Sequence, residues 1–114
     1  MKAYIEYGLS KKGAQETYPF GDDVLVIKVS SKMFALFGVK ENVGTVSLKC
    51  EPEVAELLRM QYPAVTPGYH LNKRHWNTIL LDGSIPKEEV LSMIDDSYRL
   101  VYKSLTKAEK ETLE

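Results

Sequence analysis

Six residues in the first half of the chain, residues 45–50 (Thr-Val-Ser-Leu-Lys-Cys), alternate strictly between polar and apolar side chains. Successive side chains of a β-strand point to opposite faces of a sheet, so this pattern predicts a strand with one buried and one solvated face. Val46, Leu48 and Cys50 would face the core. Such a strand requires a sheet that is covered on one side, and this requirement constrains the fold more than any other segment does.

Three further segments have the composition of strands. Residues 24–29 are rich in β-branched side chains, and residues 33–38 follow after a gap short enough to favour a hairpin. With residues 45–50 they form a predicted three-stranded antiparallel meander. Residues 76–81 indicate one more strand towards the C-terminus.

Helical patterns flank these strands. Residues 2–12 predict a short helix, although Gly8 weakens it, because glycine inside a helix costs about 1 kcal/mol relative to alanine. A second helix begins at Pro52, which suits a first helical turn, and ends before Pro63. The longest helix is predicted over residues 86–105, where apolar side chains recur on one face. Residues 106–114 would form a frayed or solvent-exposed helical tail.

This order of elements, strands first and the longest helix last, predicts the α+β class. We expect an antiparallel sheet, made of the three-stranded meander plus a C-terminal strand, with helices on one face. The 114 residues predict a single domain, residues 1–114. One cysteine excludes an intramolecular disulfide, and neither a membrane span nor a secretory signal is evident, so we expect a cytoplasmic protein.

Charge is unevenly distributed along a chain whose net charge is only −1. Residues 24–50 and 64–81, which contain the predicted strands, hold six basic residues and one acidic residue, a net charge of +5. The rest of the chain therefore carries −6. One interpretation is a basic surface for a polyanion; the other is that lysines on strands prevent edge-to-edge aggregation.

The chemically densest stretch is residues 65–83, which contains both histidines, the only tryptophan and the adjacent pair Lys73 and Arg74. In a structural interpretation, Trp76 is part of the core and the polar side chains satisfy backbone groups. In a functional one, the basic pair contacts phosphates beside amide and aromatic groups. The candidate nucleic-acid-binding residues are Lys28, Lys32, Lys49, Tyr69, His70, Asn72, Lys73, Arg74 and Asn77. No helix has a basic face suited to the major groove, so we expect non-specific or shape-based contact with duplex DNA.

Catalytic and metal sites have little support in the sequence. His70 and His75 are five residues apart, which is not the i,i+4 spacing of two ligands on one helix. Cys50 is expected to be a buried, inert thiol because it lies on the apolar side of its predicted strand. Motifs of nucleotide-binding loops and nucleophilic enzymes are absent. We therefore predict a non-enzymatic protein with no cofactor and no metal.

Several short motifs occur in an order that is typical of a known family. They are Tyr18-Pro19-Phe20-Gly21, Lys32-Met33-Phe34-Ala35, Leu48-Lys49-Cys50, Pro67-Gly68-Tyr69-His70-Leu71-Asn72-Lys73, His75-Trp76-Asn77, Leu81-Asp82-Gly83 and Ser97-Tyr98. With these motifs the chain resembles the YjbR/MmcQ family of small, uncharacterised bacterial proteins over residues 13–105.

The resemblance implies an α+β sandwich similar to bacterial frataxins of the CyaY type. It also implies binding to double-stranded DNA through a double-wing arrangement, in which the loops of β-hairpins touch the duplex. One departure lies in the first hairpin turn, where the family often has glycine and this chain has Ser31. Frataxin-like iron binding is not expected, because Glu6 is the sole carboxylate of the predicted first helix.

Two other functions are open alternatives. A pocket lined by Tyr69, His70, Asn72 and Trp76 would suit a small ligand or a protein partner. An enzyme that uses a histidine as its acid or base is the third hypothesis. We expect the protein to be a monomer.

Overall fold

The computed structural model describes residues 1–68 and 71–113. Its elements in chain order are α1 (Lys2–Leu9), β1 (Ala14–Thr17), β2 (Leu25–Val29), β3 (Lys32–Lys40), β4 (Val43–Lys49), α2 (Pro52–Gln61), β5 (Val65–Pro67), β6 (Trp76–Leu80), α3 (Lys87–Lys103) and α4 (Lys107–Thr112). Every predicted helix and strand is present, with ends that differ by a few residues.

The strands form one antiparallel sheet of six strands in the order β1-β2-β3-β4-β6-β5. The meander β2–β3–β4 is confirmed, and β6 pairs with β4. The prediction of four strands was wrong by two, because β1 and β5 were missed. β1 (Ala-Gln-Glu-Thr) carries no apolar alternation and β5 has only three residues, so both edge strands are defined by pairing with a neighbour rather than by local composition.

A β-bulge interrupts the pairing of β2 with β3. Ile27 pairs with Ala35, but Lys28 pairs with Met33, so Phe34 is the extra residue on β3. Both Phe34 and Ala35 are fully buried. Phe34 and Ala35 therefore both belong to the core, although they are adjacent in sequence. The bulge interrupts the alternation of side chains between the two faces of β3.

The helices cover one face of this sheet. Val90, Ile94 and Val101 of α3 share a core with the inward side chains of β2, β3, β4 and β6. The rings of Phe34 and Tyr98 meet edge-on, with their centroids 5.1 Å apart. The predicted α+β arrangement, with helices on one side of an antiparallel sheet, is confirmed.

α1 packs beside α3 on the same face. Tyr7 donates its hydroxyl to Oδ1 of Asp95 across 2.7 Å, and Lys11 binds the same carboxylate oxygen. Burial opposes ionisation of Asp95, but these hydrogen bonds outweigh it and hold the pKa of its carboxyl below the usual value. Gly8, the weak point of the predicted helix, is buried where α1 meets the sheet.

The C-terminal segment forms the helix α4, which buries none of its residues, so of the two predicted states the solvent-exposed helix is the one observed. Thr106 and Glu109 form a capping box at its start. The Glu109 carboxylate also accepts hydrogen bonds from Ser30 and Ser31, at 2.9 Å and 3.1 Å, so α4 is attached to the turn between β2 and β3. Within the described residues, no helix combines the length and the apolar character that crossing a membrane requires.

Candidate nucleic-acid interface

The opposite face of the sheet carries no helix from the described part of the chain, and we call it the helix-free face. Its side chains are those that alternate with the core-facing residues in the strand registers. They are Gln15, Thr17, Val26, Lys28, Met33, Leu36, Lys40, Val43, Thr45, Ser47, Lys49, Thr66, Trp76, Thr78 and Leu80. Gly38 lies at one further position and has no side chain.

The helix-free face is positively charged. Its ionisable strand side chains are Lys28, Lys40 and Lys49, and no carboxylate belongs to it among the strand residues that the structure describes. The acidic residues of the chain are instead concentrated in α2, α3 and α4. A chain with a net charge of −1 therefore presents a face with a local charge of +3. The strands are net basic as predicted, but α2, α3 and α4 are only slightly acidic, with eight carboxylates against six basic side chains.

One set of side chains, which we call the terminal row, lies at one end of this face. It consists of Gln15, Lys28, Met33, Lys49 and Trp76. Met33 pairs with Lys28 on β2, and Trp76 pairs with Lys49 on β4. The pairing of β3 with β4 ends at Ala35 and Leu48, and the N–H of Lys49 donates to Ser97 of α3, so Lys28 and Lys49 belong to two paired groups at the same end of the sheet.

The next row carries hydroxyl groups on its β4, β5 and β6 side. Ser47 and Thr78 oppose each other on β4 and β6, and their hydroxyl oxygens are 2.8 Å apart. Thr66 on β5 pairs with Thr78 and is exposed. On β2 and β3 the same row continues with Val26 and Leu36, which are buried outside the main core cluster. The polar part of the helix-free face is therefore its half nearest β5 and β6.

Trp76 belongs to this face, so the structural interpretation, which placed Trp76 in the core, is wrong. Its Cα partner is Lys49, and both alternate with the core residues Leu48 and Ile79. Trp76 is half-buried. Each side chain of β6 points either to the core or to the helix-free face. The register with β4 places the Asn77 side chain on the core side.

Asn77 is buried, with 2% of its surface exposed, and its side chain is fully engaged. Its amide oxygen accepts from Nε of Arg59 at 2.7 Å, and its amide nitrogen donates to the carbonyl of Ala55 at 3.3 Å. The prediction that Asn77 contacts nucleic acid is therefore wrong. Asn77 instead connects α2 to the sheet through these hydrogen bonds. Its partner Arg59 is not among the candidate residues predicted from the sequence.

Residues 71–75, which form the described part of the loop that precedes β6, are held by hydrogen bonds to one another, to Gly68, to α2 and to Cys50. Asn72 accepts at its side-chain oxygen from the backbone of Arg74 (3.0 Å), and Lys73 donates from Nζ to the carbonyl of Gly68 (3.2 Å). Arg59 donates to the carbonyl of Lys73, and Cys50 donates its N–H to the carbonyl of His75 (2.7 Å). The loop therefore lies at the same end of the sheet as the terminal row.

A surface pocket of about 340 Å³ lies between this loop and α2. It is lined by Pro52, Glu53, Glu56, Arg59, Lys73 and Arg74. Lys73 and Arg74 thus stand beside two carboxylates, whereas Lys28 and Lys49 face none on their strands. The candidate basic residues form two separate groups, one on the helix-free face and one at the end of the sheet.

Lys32 belongs to neither group. It pairs with Val29 on the helix-covered side of the sheet, and its Nζ donates to the carbonyl and the hydroxyl of Ser104, each at 3.1 Å. The expectation that Lys32 extends the basic surface is therefore wrong, because its ammonium binds the C-terminal end of α3, where a cation is favoured. Tyr69 and His70, two further candidates, lie outside the described residues.

Cys50 lies one residue beyond β4 and is half-buried rather than fully buried. It borders a shallow cleft with Leu48, Val54 and Met93. Burial, followed by the nearby carboxylates of Asp96 and Glu51, raises the pKa of its thiol. The thiolate is disfavoured at neutral pH, which agrees with an unreactive cysteine although the predicted burial was too deep.

Among residues 1–68 and 71–113, no three histidine, cysteine or carboxylate side chains lie close enough to hold a metal ion. Lys40 is the one ionisable side chain of the helix-free face that sequence analysis did not select. It was placed in a loop because β3 was predicted to end at residue 38. The observed β3 extends to Lys40, which pairs with Val43 of β4. This pairing follows from the strand register, which the sequence alone does not reveal.

Comparison with known proteins identifies close relatives along almost the whole chain. A model of the YjbR family matches residues 9–100. The uncharacterised protein YjbR of Escherichia coli K12 is 38% identical over 109 residues, which cover 96% of this chain and 92% of the relative. The uncharacterised protein YyaQ of Bacillus subtilis is 34% identical over 76 residues, or 67% of this chain and 63% of the relative.

Solved structures show the same fold. The crystal structure of Deinococcus radiodurans protein DR2400 superimposes with a TM-score of 0.87 at 40% identity, covering 95% of this chain and 83% of that one. The crystal structure of a Pseudomonas syringae protein gives a TM-score of 0.75 at 32% identity, with 88% and 97% covered.

Proposed function

The chain belongs to the YjbR family, and from this membership together with the charge of the helix-free face we propose that it is a non-enzymatic DNA-binding protein. The observation that carries the proposal is the placement of Lys28, Lys40 and Lys49 on one face that has no strand carboxylate. A surface of this kind attracts phosphates and holds them by releasing counterions.

Lys28 and Lys49 are the principal phosphate contacts in this proposal. Both lie in the terminal row, and neither has a salt-bridge partner among the ion pairs of the described residues. Lys73 and Arg74 lie at the same end of the sheet and extend the positive region, although Glu53 and Glu56 reduce their effect there. Binding is then dominated by the DNA backbone and has little dependence on sequence.

The frataxin-like sandwich implied by the resemblance is part of the same proposal. α1 and α3 lie side by side on one face of an antiparallel sheet, and this one-sided arrangement leaves the other face to a ligand. Superposition of the chain on a bacterial frataxin would test the likeness.

A salt titration of DNA binding tests the function. Labelled DNA of arbitrary sequence, as a duplex and as its separate single strand, would be titrated with protein between about 20 and 200 mM salt and followed by fluorescence anisotropy. The variant carries both Lys28→Ala and Lys49→Ala. Loss of two phosphate contacts should reduce the slope of log K against log salt by about 1.8 for duplex and about 1.4 for single strand.

The matched control carries Lys87→Ala and Lys103→Ala, which remove the same charge from exposed positions of α3. Its slope should equal that of the unsubstituted protein. Absence of binding to either form of DNA at the lowest salt would refute the proposal. Equal slopes for the two double variants would refute the assigned face.

A second candidate function is a binding module for a small ligand or protein. The surface pocket beside Lys73 and Arg74 favours it, since charged side chains of both signs line it and could bind a charged ligand. The expected result is thermal stabilisation by a charged small molecule that persists in the Lys28/Lys49 variant and disappears in Glu56→Gln. Stabilisation that is unaffected by Glu56→Gln would exclude this pocket as the site.

A further inference from the structure

We propose that the DNA bound by the helix-free face is a single strand, laid across the strands of the sheet with one base stacked on Trp76. The inference rests on the proposed function and specifies the form of the substrate. Four features of the described residues lead to it: the shape of the face, the state of its hairpin turns, the position of Trp76 and the adjacent hydroxyl groups.

The shape of the face is unsuited to the groove of a duplex. Six strands spaced by about 4.8 Å span about 24 Å between the outermost strands. The major groove of B-DNA is about 12 Å wide and accepts a helix or a two-stranded ribbon. A six-stranded face could touch a duplex only along its outer phosphates, whereas a single strand is narrow enough to follow the lysines of the terminal row and the hydroxyl groups of β4, β5 and β6.

The hairpin turns of the sheet are also poorly suited to enter the groove of a duplex. The turn between β2 and β3 is bonded through Ser30 and Ser31 to the Glu109 carboxylate, which places a negative charge at its tip. The turn between β3 and β4 consists of Glu41 and Asn42, both at positive φ. It also carries a carboxylate, because one of its two residues is a glutamate. Each carboxylate lies near a lysine of the face, Lys28 at the first turn and Lys40 at the second, and offsets its charge, so neither tip is strongly basic.

In this proposal Trp76 is the residue on which a base stacks, beside those lysines. It is half-buried on the helix-free face and pairs with Lys49, so a ring and an ammonium group occupy neighbouring strands. Stacking on an aromatic ring requires an unpaired base, which a duplex does not offer. The combination of a basic surface with an aromatic platform is typical of single-strand binding.

Hydroxyl groups lie in the row next to Trp76. Ser47 and Thr78 have their oxygens 2.8 Å apart, and Thr66 is exposed on the adjoining strand. Hydroxyls donate and accept, so they can bond the edge of any base that is splayed out on the sheet. This places base contacts on the β5–β6 side and phosphate contacts at Lys28 and Lys49.

Trp76 is the only tryptophan of the chain, so its fluorescence reports directly on the proposed contact. The unsubstituted protein would be titrated at low salt with oligothymidylate and, separately, with a duplex of equal length. We expect oligothymidylate to quench the tryptophan and to bind at least ten-fold more tightly than the duplex.

Substitution at Trp76 tests the stacking step with a labelled strand and anisotropy. Trp76→Leu should weaken single-strand binding by about 5- to 150-fold, and Trp76→Phe should restore most of it. Phe20→Leu is the matched control, because Phe20 is an exposed aromatic in the loop that precedes β2, at the opposite end of that strand from Lys28. Its affinity should not change.

The outcomes separate this inference from the function on which it rests. Duplex binding that equals or exceeds single-strand binding, without quenching, would overturn the inference and leave DNA binding intact. Equal affinity in Trp76→Leu and the unsubstituted protein would also overturn it. Failure of both DNA forms to bind at low salt would remove the proposed function itself.

Discussion

Arg59 of α2 donates from Nε to the amide oxygen of Asn77 on β6 across 2.7 Å. The same guanidinium binds the carbonyls of Lys73 and Trp76 in the segment that leads into β6. One side chain therefore ties a helix, a strand and the basic loop together. The position of Lys73 and Arg74 relative to the sheet depends on this bond.

Asn77→Ala should lower the free energy of unfolding by about 2 to 3 kcal/mol. The substitution removes the hydrogen bonds that the Asn77 amide makes with the Arg59 guanidinium and the Ala55 carbonyl. Removing one partner of a buried hydrogen bond costs more than the net free energy of the bond, because the other partner stays desolvated. Urea unfolding followed by circular dichroism measures it. Asn72→Ala, an exposed asparagine that accepts one backbone bond, is the control and should cost about 1 kcal/mol or less. A loss at Asn77 no larger than the control would contradict the assignment.

Ser97→Ala should be similarly costly, by about 2 to 3 kcal/mol. Ser97 is fully buried on α3, where it donates to the carbonyl of Phe34 at 2.6 Å and accepts from the N–H of Lys49 at 2.8 Å. It thus satisfies backbone groups of two strands beside the bulge at Phe34, and alanine would leave both unpaired. Thermal and urea denaturation test this. Ser92→Ala on the exposed side of α3 should change stability by about 0.5 kcal/mol or less, and equal effects at both serines would reject the explanation.

Glu109→Gln should reduce the melting temperature at pH 7, by an amount that depends on pH. Hydrogen bonds from the Thr106 backbone and then from Ser30 lower the pKa of the Glu109 carboxyl from 4.5 to about 2. A lowered pKa means that the carboxylate stabilises the fold above pH 4.5 and that this contribution is lost as the pH falls towards 2. The difference in melting temperature between the two proteins should therefore shrink over that interval. Glu111→Gln, on the same helix, is the control, and a difference that stays constant with pH would contradict the prediction.

Gly68→Ala and Gly8→Ala should differ in their effects on stability. A Cβ at Gly68 would lie 2.8 Å from Cβ and 3.2 Å from the carbonyl oxygen of Trp76, and these atoms cannot move without displacing β6. We expect a loss of about 1 to 3 kcal/mol. At Gly8 the added Cβ meets only the end of the Ile27 side chain, at 2.8 Å, and alanine gains about 1 kcal/mol in helix propensity. Gly8→Ala should therefore remain within about 1 kcal/mol of the unsubstituted protein, and urea unfolding that ranks the two in the reverse order would refute the packing argument.

The core-forming elements could be predicted from sequence because their signals are local. The β-branched run of β2, the alternation of β4 and the apolar stripe of α3 each lie within one segment. β1 was missed because a polar edge strand carries no such signal. The docking of α4 was missed because the partners of Glu109 lie 78 and 79 residues earlier in the chain.

The candidate site was predicted less well, and the clearest errors concern two adjacent residues. Trp76 was expected in the core and Asn77 on the surface, by hydrophobicity. Residues 76–81 are apolar at both parities, so alternation alone does not distinguish the faces of β6. Pairing with β4 decides it, because Leu48 faces the core and its partner Asn77 must do the same. The Arg59 guanidinium and the Ala55 carbonyl make that burial tolerable.

By itself, the sequence determined the fold class, the family motifs and the basic character of the strands, since each depends on residue type and short-range spacing. Tertiary structure alone decided which of the basic residues share a surface. It placed Lys28, Lys40 and Lys49 together, turned Lys32 towards Ser104, and set Lys73 and Arg74 beside the carboxylates of α2. Strand register and helix docking fix the direction of every side chain, and both depend on contacts between residues that are distant in the chain.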